Sequence, residues 1–487
     1  MKYVSYFAMK LRRLTYVTHP LSIIPEHAYV EYLDINDLTR LRQTHPHFAG
    51  RLSQIAKPII ELFASETHWI DYSKLPLQFP KAKLVIGKGH SGVTRTLGLG
   101  VLANVTSLDC VDRLRMNLDI SMMTNLTFLC LDRCDAIKTE AVDAMTNLVS
   151  LSLAGNDEIK GSTVRKLTNL RELNLDSNTT ITDLDIDALP LQSLSLVSNW
   201  KISPLMLKRF NLTKLNISYY ATDALIGEII LCTTVTDLSL NMYDVNQLGQ
   251  ETVAKMTWLR RLTITDPKAD IYRELFQYLT NLTYLEFKDC RTIFQVGPLL
   301  PLQSLVVKGR KTGYPFDLLH HSLNDLTYLE VHGYDVFLNL NFVTNLTHLD
   351  IERPDRRVGE DLVKLKYLKK LVLRECTDWL HIDISGLTSL VSLEILGRVI
   401  VRSLVGADGL QSLKIYANNC VVDDSSFLSM RNLRCISLGG ISCEGVKGTS
   451  FKHLDKLFEV EIGMRNGLDQ ECLYDLKKRG VVVRYMG

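Results

Sequence analysis

The chain has 487 residues, of which 46% are hydrophobic and 23% are charged, and its formal net charge is +2. This composition is typical of a folded protein with a sizeable core, and the balanced charge argues against non-specific binding to DNA or RNA. No window of the sequence approaches the roughly 18 consecutive apolar residues that a membrane-spanning helix needs.

Residues 1–20 are interpreted as an N-terminal extension. The opening, MKYVSYFAMKLRRL, places its arginines after a short apolar part, which is not typical of a signal peptide. The ten cysteines are scattered without a C-x-x-C pair, a pattern that predicts neither a zinc site nor a disulfide scaffold. We therefore expect a protein of the cytoplasm or nucleus that is not secreted and that carries no metal and no cofactor.

Residues 21–65 are predicted to form a small all-helical module. Tyr29 and Leu33, followed by Leu38 and Leu41, recur at three- to four-residue spacing, which is typical of short amphipathic helices.

The same segment resembles an F-box. The family's Leu-Pro opening, Tyr-Leu pair, Asp-Leu pair and closing aromatic residue correspond, in order, to Ile24-Pro25-Glu26, Tyr32-Leu33-Asp34, Asp37-Leu38 with Leu41, and Phe48. Pro25 lies closer to Leu33 than in the family, which shortens the first helix. The resemblance implies that the module binds a Skp-type adaptor of a cullin ubiquitin ligase. The residues that it implies for adaptor binding are Ile24, Pro25, Tyr29, Leu33, Leu38, Leu41 and Phe48.

A glycine-rich segment follows, KLVIGKGHSG, with Gly87, Gly89 and Gly92 spaced as G-x-G-x-x-G. Such glycines let a backbone approach the pyrophosphate of a nucleotide, and a carboxylate about 20 residues later would hold the ribose. Asp109 lies 17 residues past Gly92, so a nucleotide site is one interpretation of this segment.

The remainder of the chain, 79–487, repeats one phrase, L-x-x-L-x-L, about every 20–24 residues and about 18 times. Copies include TNLTFLCLDRC (124–134), TNLVSLSLAGN (146–156), TNLTYLEFKDC (280–290) and DKLFEVEIGMR (455–465). This is the leucine-rich-repeat signature. It predicts an α/β solenoid with a parallel sheet and short helices or 3₁₀ turns on the convex side. Because arrays of this kind need a terminal cap, the helical module at 21–65 is alternatively a plain cap.

The repeat frame gives a second interpretation of the glycine-rich segment, which we favour. The segment precedes the copy led by Val105 by 24 residues. Leu84 and Ile86 then take the second and third apolar positions, and the glycines form the turn after the strand.

Two polar positions of the repeat are predicted to hold the turns. Side chains at the eighth position after the first leucine are expected to bond the backbone where it leaves the strand, and the asparagines of the N-L-T phrase are expected to form turns. The eighth-position residues are Asn156, Asn178, Asn199 and Asn418 in some copies and Cys134, Cys290 and Cys376 in others.

The second, fourth and sixth positions after the first leucine are predicted to face solvent. They hold small residues in early repeats, namely Ser150, Ser152, Ser193 and Ser195, and larger ones in the middle repeats. Tyrosine and arginine are enriched in binding hot spots. We therefore predict a target-binding surface of Arg261, Tyr284, Glu286, Lys288, Lys308, Tyr328, Glu330, His348, Asp350, Lys370 and Arg374. His332 and His348 lie near Glu330 and Asp350 in this frame, but ordinary solvated side chains are favoured over a metal or acid–base site.

The sequence therefore favours a non-catalytic adaptor, in which the F-box-like module binds the Skp-type adaptor and cullin complex and the repeats bind a protein target. Two alternatives remain. One is a leucine-rich-repeat interaction scaffold with a helical cap and no link to ubiquitin, and the other is an enzyme that uses the glycine-rich loop. No residue is predicted to be catalytic.

Overall fold

The L-x-x-L-x-L phrases form short strands because their second and third leucines alternate with polar residues on an extended chain. In the computed structural model, Leu151 and Leu153 of one phrase are 1% and 0% exposed. Ser150 and Ser152 alternate with them and keep part of their surface in solvent.

The residues that the structure describes are 59–61, 83–86, 102–111, 120–219, 223–242, 251, 254–265, 278–290, 301–309, 315–317, 323–333, 335–337, 340–404, 406–417, 422–439, 445–463 and 468–486.

The chain packs into two compact units. Unit 1 comprises residues 1–218 and 227–234, and unit 2 comprises residues 219–226 and 235–487. In unit 1, each described strand pairs in parallel with the next along the chain. These strands are β1 (Ile59–Glu61), β2 (Lys83–Ile86), β3 (Val105–Asp109), β4 (Phe128–Cys130), β5 (Ser150–Ser152), β6 (Glu172–Asn174), β7 (Ser193–Leu196) and β8 (Lys214–Tyr219).

Unit 2 repeats this arrangement, and equivalent residues of neighbouring coils lie side by side, as in Leu285 opposite Leu305 and Leu305 opposite Leu329. Among the described residues, the parallel ladder contains β9 (Asp237–Met242), β10 (Arg261–Thr265), β11 (Tyr284–Cys290), β12 (Ser304–Gly309), β14 (Tyr328–His332), β16 (His348–Glu352), β17 (Lys370–Asp383), β18 (Ser392–Ser403), β19 (Ser412–Ala417), β20 (Cys435–Gly439), β21 (Glu459–Gly463) and β22 (Val482–Met486). A separate pair joins β13 (Pro315–Asp317) to β15 (Asp335–Phe337).

The start of the repeat differs from the predicted frame. Leu84 and Ile86 are buried as expected, at 2% and 0% exposure. Ile86, however, lies opposite Leu108, which is a second-position residue, so it does not take the third position. The shift arises from one extra residue on β3. Leu84 pairs with Val105 and the next residue, Val85, pairs with Ser107, so Thr106 has no partner in the register.

The segment predicted to be helical, 21–65, contains one described element, the strand β1. It pairs in parallel with β2, and its two β-branched isoleucines, Ile59 and Ile60, favour extended backbone. At these three residues the structure therefore has a strand where the sequence predicted a helical module. The rest of 21–65, including all seven predicted adaptor-binding residues, lies outside the described residues, as do Gly87, Gly89 and Gly92.

The returning segments of unit 1 are short helices, as predicted. They are α1 (Thr139–Val142), α2 (Gly161–Val164), α3 (Asp183–Ile186) and a 3₁₀ helix at Pro204–Arg209. The other described helices are α4 (Asp223–Leu231), α5 (Arg356–Asp361), α6 (Gln470–Arg479) and 3₁₀ turns at Leu340–Phe342, Leu362–Lys364, Asp424–Phe427 and Phe451–His453. No helix among the described residues combines the length and the apolar character that a bilayer crossing requires.

Two returning segments of unit 2 are strands, and there the helical prediction is wrong. Beyond the turn, β17 and β18 continue to pair, with Leu380 opposite Val399 and Ile382 opposite Val401. The cause is a two-residue alternation in these segments, where Leu380, Ile382 and then Ile384 are buried. Helix α5 packs so closely on this extension that a Cβ on Gly359 would lie 2.1 Å from the carbonyl oxygen of His381.

The eighth-position asparagines bond the turns, as predicted, and they also join one coil to the next. The Asn178 Oδ1 atom accepts hydrogen bonds from the backbone amides of Thr180 (3.1 Å) and Ile181 (2.9 Å). Its Nδ2 group donates to the carbonyls of Leu153 (3.4 Å) and Asn156 in the preceding coil. Equivalent bonds surround Asn156 and Asn199.

Cysteines replace asparagine at the same position of other coils and are buried at Cys134 and Cys376. Burial raises the pKa of the Cys376 thiol to about 12, and it also raises the pKa of Cys134. Both thiols are therefore neutral packing groups. Asn418 and the side chain of Cys290 lie outside the described residues.

The N-L-T phrase has a comparable role on the coil surface. Asn125 donates to the carbonyl of Ala103 at 2.7 Å, and Asn281 donates to that of Thr257 at 2.7 Å. The threonine two residues later does the same, since the Thr127 hydroxyl donates to Thr106 O at 3.1 Å. The phrase was predicted only to form a turn, and the structure shows that it also makes hydrogen bonds to the preceding coil.

Asn178→Ala tests how much the buried bonds contribute. The substitution leaves two carbonyls and two amides of adjacent turns without their partner, so we expect a loss of about 3 kcal/mol in unfolding free energy. Asn147→Ala is the matched control, because Asn147 is exposed and donates one bond, to Thr124 O at 3.1 Å. It should cost under about 1 kcal/mol.

The measurement is hydrogen exchange of the amides at 150–200 together with urea unfolding, because repeat arrays need not unfold in one step. Equal losses for the two variants would contradict the role given to the buried asparagine.

Candidate functional site

The strand face of unit 2 is the candidate site. We define it as the side chains at the second, fourth and sixth positions after each first leucine on the ladder strands β9 to β22. Because equivalent residues pair across the ladder, these positions form three rows that cross the strands. We name each row by its repeat position. Tyr328 lies opposite His348 in the second-position row, called the second row, and Glu330 lies opposite Asp350 in the fourth-position row, called the fourth row.

The structure places ten of the eleven predicted target-binding residues on this face with part of their surface in solvent. Arg261, Lys288, Lys308 and Lys370 are exposed, and Tyr284, Tyr328, Glu330, His348, Asp350 and Arg374 are half-buried. The prediction that Glu286 is exposed is wrong, since this residue is 8% exposed. Its carboxylate lies against the sheet because the Tyr284 hydroxyl donates to Oε2 at 3.0 Å and the Lys288 ammonium lies 3.4 Å away.

At β9 to β11 the face is built on an arginine and a tyrosine. The Arg261 guanidinium carbon lies 3.7 Å from the centroid of the Tyr284 ring, and its Nε lies 3.6 Å from Asp237 Oδ2. Burial and the Glu286 carboxylate together raise the pKa of Tyr284 to about 12. The phenol therefore remains a hydrogen-bond donor. The Arg261 guanidinium makes a cation–π contact with the face of the Tyr284 ring.

Glu330 is the centre of the next cluster. The Tyr328 hydroxyl donates to Oε2 at 2.8 Å, and the Lys308 ammonium, on the adjacent ladder strand β12, lies 3.1 Å from Oε1. His332 Nδ1 lies 3.7 Å from the same oxygen. The Tyr328 ring stacks on His348 with centroids 5.7 Å apart.

Asp350 carries the strongest set of contacts. Arg374 binds it with two hydrogen bonds, from Nε at 2.9 Å and from the second guanidinium nitrogen at 3.0 Å, and His332 Nε2 lies 2.9 Å from Oδ1. Burial opposes ionisation of this carboxyl, but the bonds from His332 and Arg374 outweigh it and hold the pKa of Asp350 below its usual value. The same pair raises the pKa of Arg374.

The two histidines have different environments. His332 lies between Glu330 and Asp350, as the repeat frame predicted. His348 instead lies over Tyr328 and beside the Thr347 hydroxyl, 2.9 Å from Nδ1. Burial and then Lys370 and Lys369 lower the pKa of His348. No group of three or more His, Cys, Asp or Glu side chains within the described ranges is placed to hold a metal ion.

Sequence reasoning missed the continuation of the surface on β18 to β21. The Lys414 ammonium lies 3.0 Å from Glu394 Oε1, and the Tyr416 hydroxyl lies 2.7 Å from Ser437 Oγ and 3.3 Å from Glu461 Oε2. The signal was present, because these residues occupy the fourth and sixth repeat positions, which were also used to predict the target-binding residues.

The corresponding face of unit 1 carries small side chains on β5 and β7. A shallow depression there is lined by the serines that the sequence placed in the early repeats, with Asn174, Asn216 and Lys214 beside them. The Ser195 hydroxyl donates to Asp176 Oδ1 at 2.6 Å, and burial raises the pKa of that carboxyl.

The coils, their parallel strands and their buried leucine and asparagine rows define the architecture. The fold is a leucine-rich-repeat solenoid. Solved structures that resemble it include an internalin from Listeria monocytogenes, at 21% identity over 66% of this chain and 90% of that chain, with a TM-score of 0.37. The Toll–Spatzle complex of Drosophila aligns at 15% identity over 93% of this chain and 67% of that chain, with a TM-score of 0.39. No protein-family model matches the sequence, and no curated protein matches it.

Asp350→Asn should destabilise unit 2 by about 2 kcal/mol at pH 7, because it removes the charge that Arg374 and His332 contact. The folded-state pKa of Asp350 is lowered, so its contribution is complete above the ordinary carboxyl value of about 3.9 and is lost as the pH falls through the folded value. The difference between variant and wild type in urea unfolding should therefore shrink from pH 5 to pH 3.

Asp361→Asn is the control, because Asp361, at the end of α5, has a single ion-pair partner among the described residues, the exposed Lys364, at 2.5 Å. It should change stability by less than about 0.5 kcal/mol. A loss at Asp350→Asn that is equally large at pH 7 and pH 3 would show that the ionised carboxylate is not the cause.

Proposed function

We propose that this chain is a protein-interaction scaffold whose strand face in unit 2 binds a protein partner. The observation that carries the proposal is the connected polar surface on the ladder strands β9 to β22. With about 4.8 Å between strands, the twelve described strands give a face roughly 50 Å long. A face of this length suits the surface of another protein.

The side chains of this face are held in position before any partner arrives. Lys308 reaches from β12 to Glu330 on β14, and Arg374 reaches from β17 to Asp350 on β16. Because each pair joins two coils, little side-chain entropy remains to be lost on binding. Tyrosine and arginine held in this way are the residue types that dominate binding energy in protein interfaces.

Affinity purification from cells, with quantitative mass spectrometry, tests the scaffold function. The strand-face variant is Lys308→Ala with Lys370→Ala, and the matched control is Lys364→Ala with Lys452→Ala, which removes the same charge from exposed positions off the face. We expect at least one protein to be recovered tenfold less with the face variant and equally with the control. Equal recovery of every protein by both variants would refute the binding role of this face.

We further propose the more specific role of a ubiquitin-ligase receptor of the cytoplasm or nucleus. The observation that favours it is the match of residues 32–48 to the F-box pattern. In this role residues 21–65 bind a Skp-type adaptor and the strand face holds the target to be modified.

Co-purification of a Skp-type adaptor and cullin with the full chain tests this role. Leu33, Leu38 and Leu41 changed together to serine should abolish the recovery, whereas Arg40→Ser with Arg42→Ser in the same segment should preserve it. Failure of the wild-type chain to recover the adaptor, or recovery that survives the leucine changes, leaves the scaffold function without a link to ubiquitin.

A further inference from the structure

The charges on the strand face of unit 2 are arranged in two layers. The carboxylates of the fourth row lie low, with side chains 10% exposed at Glu286, 14% at Glu330 and 19% at Asp350. The cations paired with them stand higher, with side chains 47% exposed at Lys288, 46% at Lys308 and 34% at Arg374. The formal charges balance, but the outer layer is positive.

The greater length of lysine and arginine is not the whole explanation. In the returning segments of unit 1 the carboxylates of ion pairs vary in exposure, with side chains 39% exposed at Glu158 and 37% at Asp143 but 11% at Asp185, which pairs with Arg165. On the strand face the carboxylates are covered by the tyrosines and by their own partners. A molecule that approaches this face therefore meets ammonium and guanidinium groups first.

Lys370 adds a cation to this layer without a carboxylate beneath it. It is exposed in the second row of β17, and no described residue forms an ion pair with it. It faces His348 across the ladder. The pKa of that imidazole is lowered by its burial and by Lys370 and Lys369, as expected for a locally positive environment.

We propose that this outer layer binds an acidic, extended segment of the partner protein, with Lys308, Lys370 and Arg374 as the receiving cations. The inference rests on the proposed scaffold function and adds the chemistry of the partner. A lysine ammonium has three N–H donors, so Lys308 bonds a carboxylate of the partner while it keeps Glu330.

The spacing of the cations defines the segment further. Lys308 and Arg374 occupy the same row, on strands β12 and β17, with β14 and β16 between them. Three strand spacings are roughly 14 Å, and an extended peptide advances about 3.3 Å per residue. Acidic residues about four positions apart in a peptide that crosses the strands therefore match both cations.

The face suits an acidic peptide better than a nucleic acid. Binding of single strands requires aromatic rings with a free face on which bases stack. Arg261 covers one face of the Tyr284 ring, and His348 stacks on one face of the Tyr328 ring. The carboxylate layer under the cations also opposes a dense row of phosphates.

Phage display of random 16-residue peptides on the full chain tests the inference. The enriched peptides are compared on wild type, on a face variant (Lys308→Gln with Lys370→Glu) and on a control with the same change of charge (Lys364→Gln with Lys452→Glu). Circular dichroism and thermal melting of each variant confirm that it is folded. We expect clones rich in Asp and Glu about four residues apart, whose affinity in fluorescence anisotropy falls at least tenfold on the face variant and is unchanged on the control.

Each other result has a distinct meaning. Neutral or basic clones that depend on the same lysines would contradict the proposal that the partner segment is acidic, but they would still support the scaffold function. Absence of any clone that distinguishes the face variant from the control would overturn both. Single-stranded DNA of equal charge that binds as tightly as the acidic clones, with the same dependence on the lysines, would overturn the choice of a peptide partner.

Discussion

The structure depends on hydrogen bonds that one coil makes to the next. A turn that leaves a strand exposes carbonyls and amides that its own coil does not satisfy, and burying them without partners is unfavourable. Asn178 satisfies two amides of its own turn and two carbonyls of the preceding coil from one buried side chain. The leucine row supplies the apolar surface that is buried, but it does not fix the height of one coil relative to its neighbour. The backbone ladder and the N-L-T phrases do so, together with the buried asparagines in unit 1, because their bonds form at one register.

The same register produces the surface of unit 2. Since equivalent residues lie side by side, a side chain at the fourth position is within reach of the sixth-position side chains of the two neighbouring coils. Asp350 is therefore reached from both sides, by His332 of one coil and by Arg374 of the next. A carboxylate that is partly buried in this way tolerates its desolvation because several donors contact it. The network on the face therefore follows from the repeat register and from the residues at the second, fourth and sixth positions of the repeat.

The repeat period allowed the strands, the buried leucines and the turn-bonding asparagines to be predicted from the sequence, because each depends on contacts within one or two coils. Features that depend on the neighbouring coil were harder to predict. Glu286 was expected in solvent, but the Thr263 hydroxyl of the neighbouring coil donates to it at 3.4 Å, in addition to its contacts with Tyr284 and Lys288 on its own strand. The strand extension at Leu380 to Asp383 was visible as an alternation, but helices were predicted because other returning segments have helical spacing. The position of Ile86 depended on one extra residue, Thr106, in a partner strand.

The two charge layers explain how a face that is saturated with internal bonds can still bind. If the cations were buried and the carboxylates exposed, an acidic partner would have to break existing pairs to reach the cations, and each break would leave a charge without a counter-ion. In the observed order, the carboxylates already accept from donors within the face, and the lysines keep unused donors on their outer side. Association then adds bonds to the existing pairs and does not exchange them, so the coil-to-coil contacts that hold the face remain intact. The mixed layers also limit long-range attraction of any polyanion, so the fit of individual carboxylates to individual cations determines which partner binds.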